Sequence, residues 1–92
     1  MQVVESEMDE LLRALAHPAR RKLLRLCWRT ARPAGALSTA LGLAPASTSE
    51  HLKVLRKTAL LVLHKQGTLR YYQANPARVA QLGAWLLSFD DS

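Results

Sequence analysis

Apolar and polar positions along the chain alternate in short, distinct periods. Between Glu5 and Ala16, Met8, Leu11, Leu12 and Leu15 fall at i, i+3, i+4 and i+7, which predicts one apolar face of a helix. Acidic residues crowd its first turn, where the helix dipole favours negative charge. His17-Pro18 ends it, because a residue before proline is pushed out of the helical region, and Pro18 suits the first position of a second helix. There Ala19, Leu23, Leu26 and Cys27 form the expected inward stripe, with Arg20, Arg21, Arg25 and Arg29 on the outer faces. Arg32-Pro33-Ala34-Gly35 is expected to close that helix. A short third helix fits Ala36 to Leu41, and Gly42 suits the left-handed conformation just past its end. Pro45 opens a fourth helix, expected to run to about Thr58 with Leu52, Leu55 and Ala59 along its buried edge.

Beyond Ala59 the period shortens toward two. Leu61-Val62-Leu63-His64-Lys65 and Leu69-Arg70-Tyr71-Tyr72-Gln73 read as strands, with Gln66-Gly67 as a tight turn between them. Asn75-Pro76 then opens a last helix to about Ser88, with Val79, Leu82 and Leu86 on one side. The predicted order is α-α-α-α-β-β-α, mainly α with a small β-hairpin. Ninety-two residues leave material for one core, so residues 1–92 are expected to form a single domain.

Charge narrows the function. Thirteen Lys and Arg face seven Asp and Glu, a formal net charge of +6. Six of the acids lie at the ends, so residues 11–89 hold all thirteen basic side chains against Glu50 alone, a formal +12. Such a body attracts polyanions, and nucleic acid is the first candidate. The single cysteine, Cys27, excludes an intramolecular disulfide and cannot alone supply a zinc site. No secretion signal precedes the first charges, and no apolar run approaches the roughly 18 residues of a membrane span, so a cytoplasmic protein without a membrane partner is expected. No Ser/His/Asp or Cys/His set, phosphate-cradling glycine loop or metal cluster suggests an enzyme or a cofactor.

Two helices joined by Gly42-Leu43-Ala44, the second polar on its open face and followed by a basic hairpin, describe a winged helix-turn-helix. The N-terminal end of such a helix can enter the roughly 12 Å wide major groove. Leu15-Ala16-His17-Pro18-Ala19-Arg20-Arg21-Lys22-Leu23-Leu24, Leu41-Gly42-Leu43, Ser49-Glu50-His51-Leu52-Lys53-Val54-Leu55-Arg56 and Gly67-Thr68-Leu69-Arg70-Tyr71-Tyr72 together resemble the ArsR/SmtB-type bacterial transcriptional regulators over roughly residues 8–88. The resemblance implies a repressor that binds double-stranded DNA as a homodimer, its first and last helices (about 5–16 and 76–88) packing together over a two-fold-related operator. Two terminal amphipathic stripes agree with this, with Met8, Leu11, Leu15, Val79, Leu82 and Leu86 as interface candidates, although both stripes could instead complete the core of one chain.

Base-contact candidates are Ala46, Ser47, Ser49, Glu50 and Lys53, at the front of the fourth helix. Phosphate-contact candidates are His51, Arg56, Lys57, Lys65 and Arg70, with Arg20 and Arg21 from the second helix. Where metal-sensing members of the family carry a thiolate pair, this chain has Pro33 and Gly35, and residues 77–89 lack the Asp and His that others use. No metal site is therefore expected, and the residues assign no effector. Cys27 is expected to be buried. Val62 and Leu63 are expected to join the core, and Trp28 and Trp85 to fill core or interface. Glu50 has three readings: readout of cytosine, charge tuning, or a Ser47-x-x-Glu50 capping box that would start the helix near Thr48. The alternative function is a winged-helix module that dimerises or docks proteins and touches DNA weakly.

Overall fold

The computed structural model describes residues 4–91. Helices α1 (Glu5–Leu15), α2 (Pro18–Leu26), α3 (Ala34–Leu41) and α4 (Pro45–Lys57) precede strands β1 (Leu61–Gln66) and β2 (Leu69–Ala74). Helix α5 (Pro76–Leu87) and a 3-10 turn, η1 (Ser88–Asp91), complete the chain. The order is the expected one. Pro18, Pro45 and Pro76 each open a helix at its first position, where the missing N–H has no intrahelical partner to lose.

Three local expectations change. Helix α3 starts at Ala34 and not at Ala36, because Pro33 stands before it in an extended conformation and lets the helix begin at the next residue. The hairpin turns on Gly67-Thr68 and not on Gln66-Gly67: Gln66 pairs with Leu69, and Gly67 takes φ +63° as the first loop residue, where two-residue hairpin loops require positive φ. Arg32 also pairs with Tyr72 through two backbone hydrogen bonds of 2.9 and 2.8 Å, adding a one-residue third strand to the β1–β2 ribbon.

The core joins all the major elements. Met8 and Leu11 from α1, Leu23 from α2, Leu37 from α3, Leu52 and Leu55 from α4, and Leu60 and Leu61 at the entry to the wing are fully buried. Cys27 is enclosed there too, and burial lifts its thiol from an ordinary 9.0 to about 11 against the opposing pull of Arg32. Leu24 is buried while Leu26 is only half-buried, so the inner stripe of α2 is rotated slightly from the expected one.

Helices α3 and α4 end in the same way. Leu43 N donates to Ser38 O and Gly42 N to Thr39 O after α3; Leu60 N donates to Leu55 O and Ala59 N to Arg56 O after α4. Both are Schellman motifs, which place one residue in the left-handed region. Gly42 does so at φ +66°, but the same task falls to Ala59 at φ +63°. Neighbours hold Ala59 in place: Asn75 Nδ2 donates to Ala59 O at 3.0 Å, and Arg78 Nε donates to Thr58 O at 3.0 Å.

Candidate nucleic-acid interface

The α3–α4 pair fixes the direction of the reading face. Helix α4 begins at Pro45, with Ala44 before it and no side-chain cap, so the capping-box reading of Ser47 and Glu50 is overturned. Thr48, Leu52 and Leu55 turn into the core, which forces the intervening residues outward. Ala46, Ser49, Glu50 and Lys53 are exposed at i, i+3, i+4 and i+7, with Ser47 exposed beside them and Arg56 and Lys57 continuing the stripe. Glu50 makes no ion pair among the described residues.

The wing adds a second basic edge. Lys65 and Arg70 pair directly across the hairpin and therefore share one face, the side that carries Leu61 and Leu63 toward the body. Two cations opposite each other repel, so a phosphate near both would stabilise them. A groove of about 550 Å³ brings Lys65 together with Arg56 between the end of α4 and β1. Lys57 stands at the border of this surface, since it lines one small groove with Ser49, Lys53 and Arg56 and another with Glu7, Glu10 and Arg78.

On the other flank, the start of α2 meets the middle of α4. The His17 and His51 rings lie 4.4 Å apart at 53°. His17 Nδ1 accepts from Ala19 N at 3.2 Å, so its imidazole caps α2. Burial, and then His17 and Arg20 beside it, hold the His51 imidazole below its ordinary 6.5. Arg20 is half-buried and its Nε is enclosed without a partner. Arg21 is exposed, but its Nη1 donates to Leu15 O at 2.8 Å and so closes the end of α1 as well. No local signal places His17 against His51, because they lie 34 positions apart and only the α2–α4 packing brings them together.

The terminal helices need a correction. Met8 and Leu11 are fully buried within the single chain, and Leu82 nearly so, because α1 and α5 first complete the core of one domain. Met8 and Leu11 are thus unavailable to a second chain. Leu15 and Val79 are half-buried, whereas Leu86 is exposed. The apolar surface left over includes Leu12, which lies on the apolar face expected for α1 but not among the interface candidates, together with Leu87 at 80% exposure and Phe89 at 54%, which lie outside the expected stripes. Trp85 is half-buried, donates from Nε1 to Glu5 at 2.6 Å and meets Phe89 edge to face at 4.8 Å, which joins α5 and η1 to the start of α1.

Other expectations also shift. Val62 points outward while Leu63 is half-buried opposite Tyr72, because successive strand residues alternate faces; neither joins the core, and both line the groove between the end of α4 and β1. Trp28 is 39% exposed and is not a core residue. Among the described residues, no three His, Cys, Asp or Glu side chains gather closely enough to hold a metal, and no helix is long and apolar enough to cross a membrane.

Similarity to known proteins follows this geometry. Residues 15–64, which span α2 to the middle of β1, match the family model of the helix-turn-helix domain. The chain is 28% identical over 82 residues to the transcriptional repressor SdpR of Bacillus subtilis (strain 168), covering 89% of this chain and 91% of that protein. A solved structure described as a possible transcriptional regulator for arsenical resistance is 32% identical, with a TM-score of 0.77 over 87% of this chain and 83% of that one. The homodimeric winged helix-turn-helix DNA-binding domain of a possible ArsR-family regulator from Mycobacterium bovis is 23% identical, with a TM-score of 0.76 over 94% of this chain and 81% of that one. The helix pair turning at Gly42, the outward stripe of α4 and the basic hairpin beside it are thus those of a DNA-binding regulator, and the chain belongs to the ArsR-type winged helix-turn-helix transcriptional regulators.

Proposed function

We propose that the protein is a repressor that binds a two-fold-related operator as a homodimer. The observation that carries this reading is the single outward stripe of α4, Ala46, Ser49, Glu50 and Lys53 leading into Arg56, with Lys65 and Arg70 on the facing side of the wing. Ala46, Ser47, Ser49, Glu50 and Lys53 read base edges. Arg20, Arg21, His51, Arg56, Lys65 and Arg70 hold phosphates, with Lys57 contributing from the border. The repressor relative from Bacillus subtilis and the homodimeric Mycobacterium bovis domain support the sign and the stoichiometry. The interface is formed by Leu12, Leu15, Val79, Leu86, Leu87 and Phe89, apolar positions of α1, α5 and η1 that the core of one chain leaves at least partly uncovered. A cytoplasmic location follows from the DNA partner.

Selection of duplexes bound by the purified protein, followed by salt titration of the winning sequence, tests this reading. Two inverted half-sites are expected, with a log–log salt slope near −0.9 per phosphate contacted, so that about six to ten contacts cost roughly 10³ to 10⁵ in affinity between 50 and 200 mM salt. Weak, sequence-blind binding would favour the protein-docking reading instead. In the same assay Glu50→Gln should relax preference at one base pair, by about 1 to 3 kcal/mol, if the carboxylate accepts from the amino group of cytosine. Equal tightening on every sequence would mean that Glu50 only restrains non-specific affinity.

A further inference from the structure

The DNA-facing surface leaves one concentration of charge unused. Lys22, Arg25, Arg29 and Arg32 surround a groove of about 840 Å³ on the outer side of α2 and the loop after it, with Leu24 and Leu26 in its walls and Trp28 on its lining. The chain supplies no carboxylate there: none of the four cations forms an ion pair among the described residues. Two of them are already oriented. Lys22 Nζ donates to Ala40 O at 3.1 Å, and Arg32 Nε donates to Leu26 O at 2.6 Å, which leaves the terminal nitrogens of Arg32 available.

Position separates this groove from the reading head. Helix α2 spans nine residues, so Trp28 and Arg29 lie about 15 Å along its axis from the His17 end that abuts α4. Ala74 N donates to Cys27 O at 2.9 Å and Arg32 pairs with Tyr72, which sets the loop at the base of the wing, at the opposite end of the strands from Gly67. Cations at the end of a helix favour its dipole and would explain Arg25 alone. They do not explain an indole left 39% exposed between guanidinium groups in a groove of ligand size.

From this juxtaposition we infer that the groove on α2 and the loop after it binds a small aromatic anion, a flat ring carrying a carboxylate or phosphate group. The ring would stack on Trp28, where offset aromatic contacts are favourable. The anion would take paired hydrogen bonds from the Arg25, Arg29 and Arg32 guanidinium groups, whose planar forks match both carboxylate and phosphate. The site requires neither operator DNA nor a partner chain, so it stands or falls independently of the repressor reading.

The test uses the DNA-free protein and the Trp28 indole resonance, with the backbone amides of residues 24–32, in proton–nitrogen correlation spectra. Naphthalene-2-carboxylate and adenosine monophosphate probe the two anion types. Naphthalene-2-methanol supplies the ring without charge, and acetate the charge without a ring. Saturable shifts confined to this segment are expected for at least one aromatic anion, with half-saturation below about 1 mM, and for neither control. The arm that responds identifies the anion. Arg25→Ala/Arg29→Ala, checked for native circular dichroism, should weaken binding about tenfold or more; if it does not fold, Arg29→Gln, outside any helix, serves in its place. No saturation by either aromatic anion, equal response to a control, or unchanged binding by the arginine variant would overturn the inference.

Discussion

Ala59 offers the sharpest test of the folding argument, because the chain contains its own control. Two Schellman motifs end α3 and α4, one with Gly42 and one with Ala59 in the left-handed region. A side chain in that region costs about 1 to 2 kcal/mol. Ala59→Gly removes this cost but frees the unfolded chain, a loss of about 0.4 to 1 kcal/mol. A net stabilisation of about 0.5 to 1 kcal/mol is expected. At about 4 to 8 °C per kcal/mol for a domain of this size, Tm rises by roughly 2 to 8 °C. Gly42→Ala runs the same ledger backwards, and since an added Cβ would meet nothing within 4 Å, strain is its only structural cost. It should destabilise by about 0.5 to 1 kcal/mol. Urea denaturation followed at 222 nm, at one fixed protein concentration so that association does not enter the comparison, measures both variants. If Ala59→Gly lowers the midpoint, or Gly42→Ala leaves it unchanged, the assignment of strain to Ala59 is wrong.

Three further outcomes follow from burial and charge. With its thiol held near 11, Cys27 should carry about one thiolate per thousand molecules at pH 8, so a thiol reagent should modify the native protein far more slowly than the urea-unfolded one. Because the folded chain holds His51 below 6.5, no stability is lost above that pH, and stability declines as pH falls through the lowered value; His51→Gln should flatten that part of a urea-midpoint profile between pH 7 and 5, while operator affinity of the parent protein should rise over the same range as phosphate favours the protonated ring. Leu86→Asp/Leu87→Asp should yield a folded monomer by sedimentation, since both side chains are exposed in the single chain, whereas Met8→Ala should lose about 2 to 5 kcal/mol of stability as a core cavity; a dimer that survives the aspartates would place the interface elsewhere.

Element order was legible because its signals are local. Proline at the first helical position, the 3.6-residue period of α1 and the switch to a period of two after Ala59 each depend on a few adjacent residues. The outward set on α4 followed from the same period, since fixing Leu52 and Leu55 inside leaves Ser49, Glu50 and Lys53 no other direction. Contacts made by distant segments were not legible. A stripe shows that Met8 and Leu11 are covered, but not whether their own chain or a second one covers them. Likewise nothing near Arg32 announces Tyr72, and nothing near His51 announces His17. Trp28 was misplaced for a related reason: an indole is expected to seek burial, yet α2 ends at Leu26 and the chain turns the ring out among arginines.

Charge segregation ties these details to function. Six of the seven carboxylates lie on α1 and η1, the elements that also carry Leu12 and Phe89, and there Glu10 pairs with Arg13 while Glu7 meets Arg78. Apart from Arg78, the cations outside α1 form no ion pair among the described residues. Such a molecule has an acidic apolar pole, suited to meet another copy, and a basic pole that a polyanion relieves of self-repulsion. A basic pole alone would bind any duplex, because phosphates are the same everywhere. Glu50 stands in the middle of that pole with no cation paired to it among the described residues. If Glu50 reads a base as proposed, it would lower affinity for every duplex through repulsion from phosphate and recover the loss only where a base edge offers it a proton. Under that reading a single carboxylate would separate operator from bulk DNA more effectively than another phosphate-contacting lysine could, since such a lysine would strengthen both.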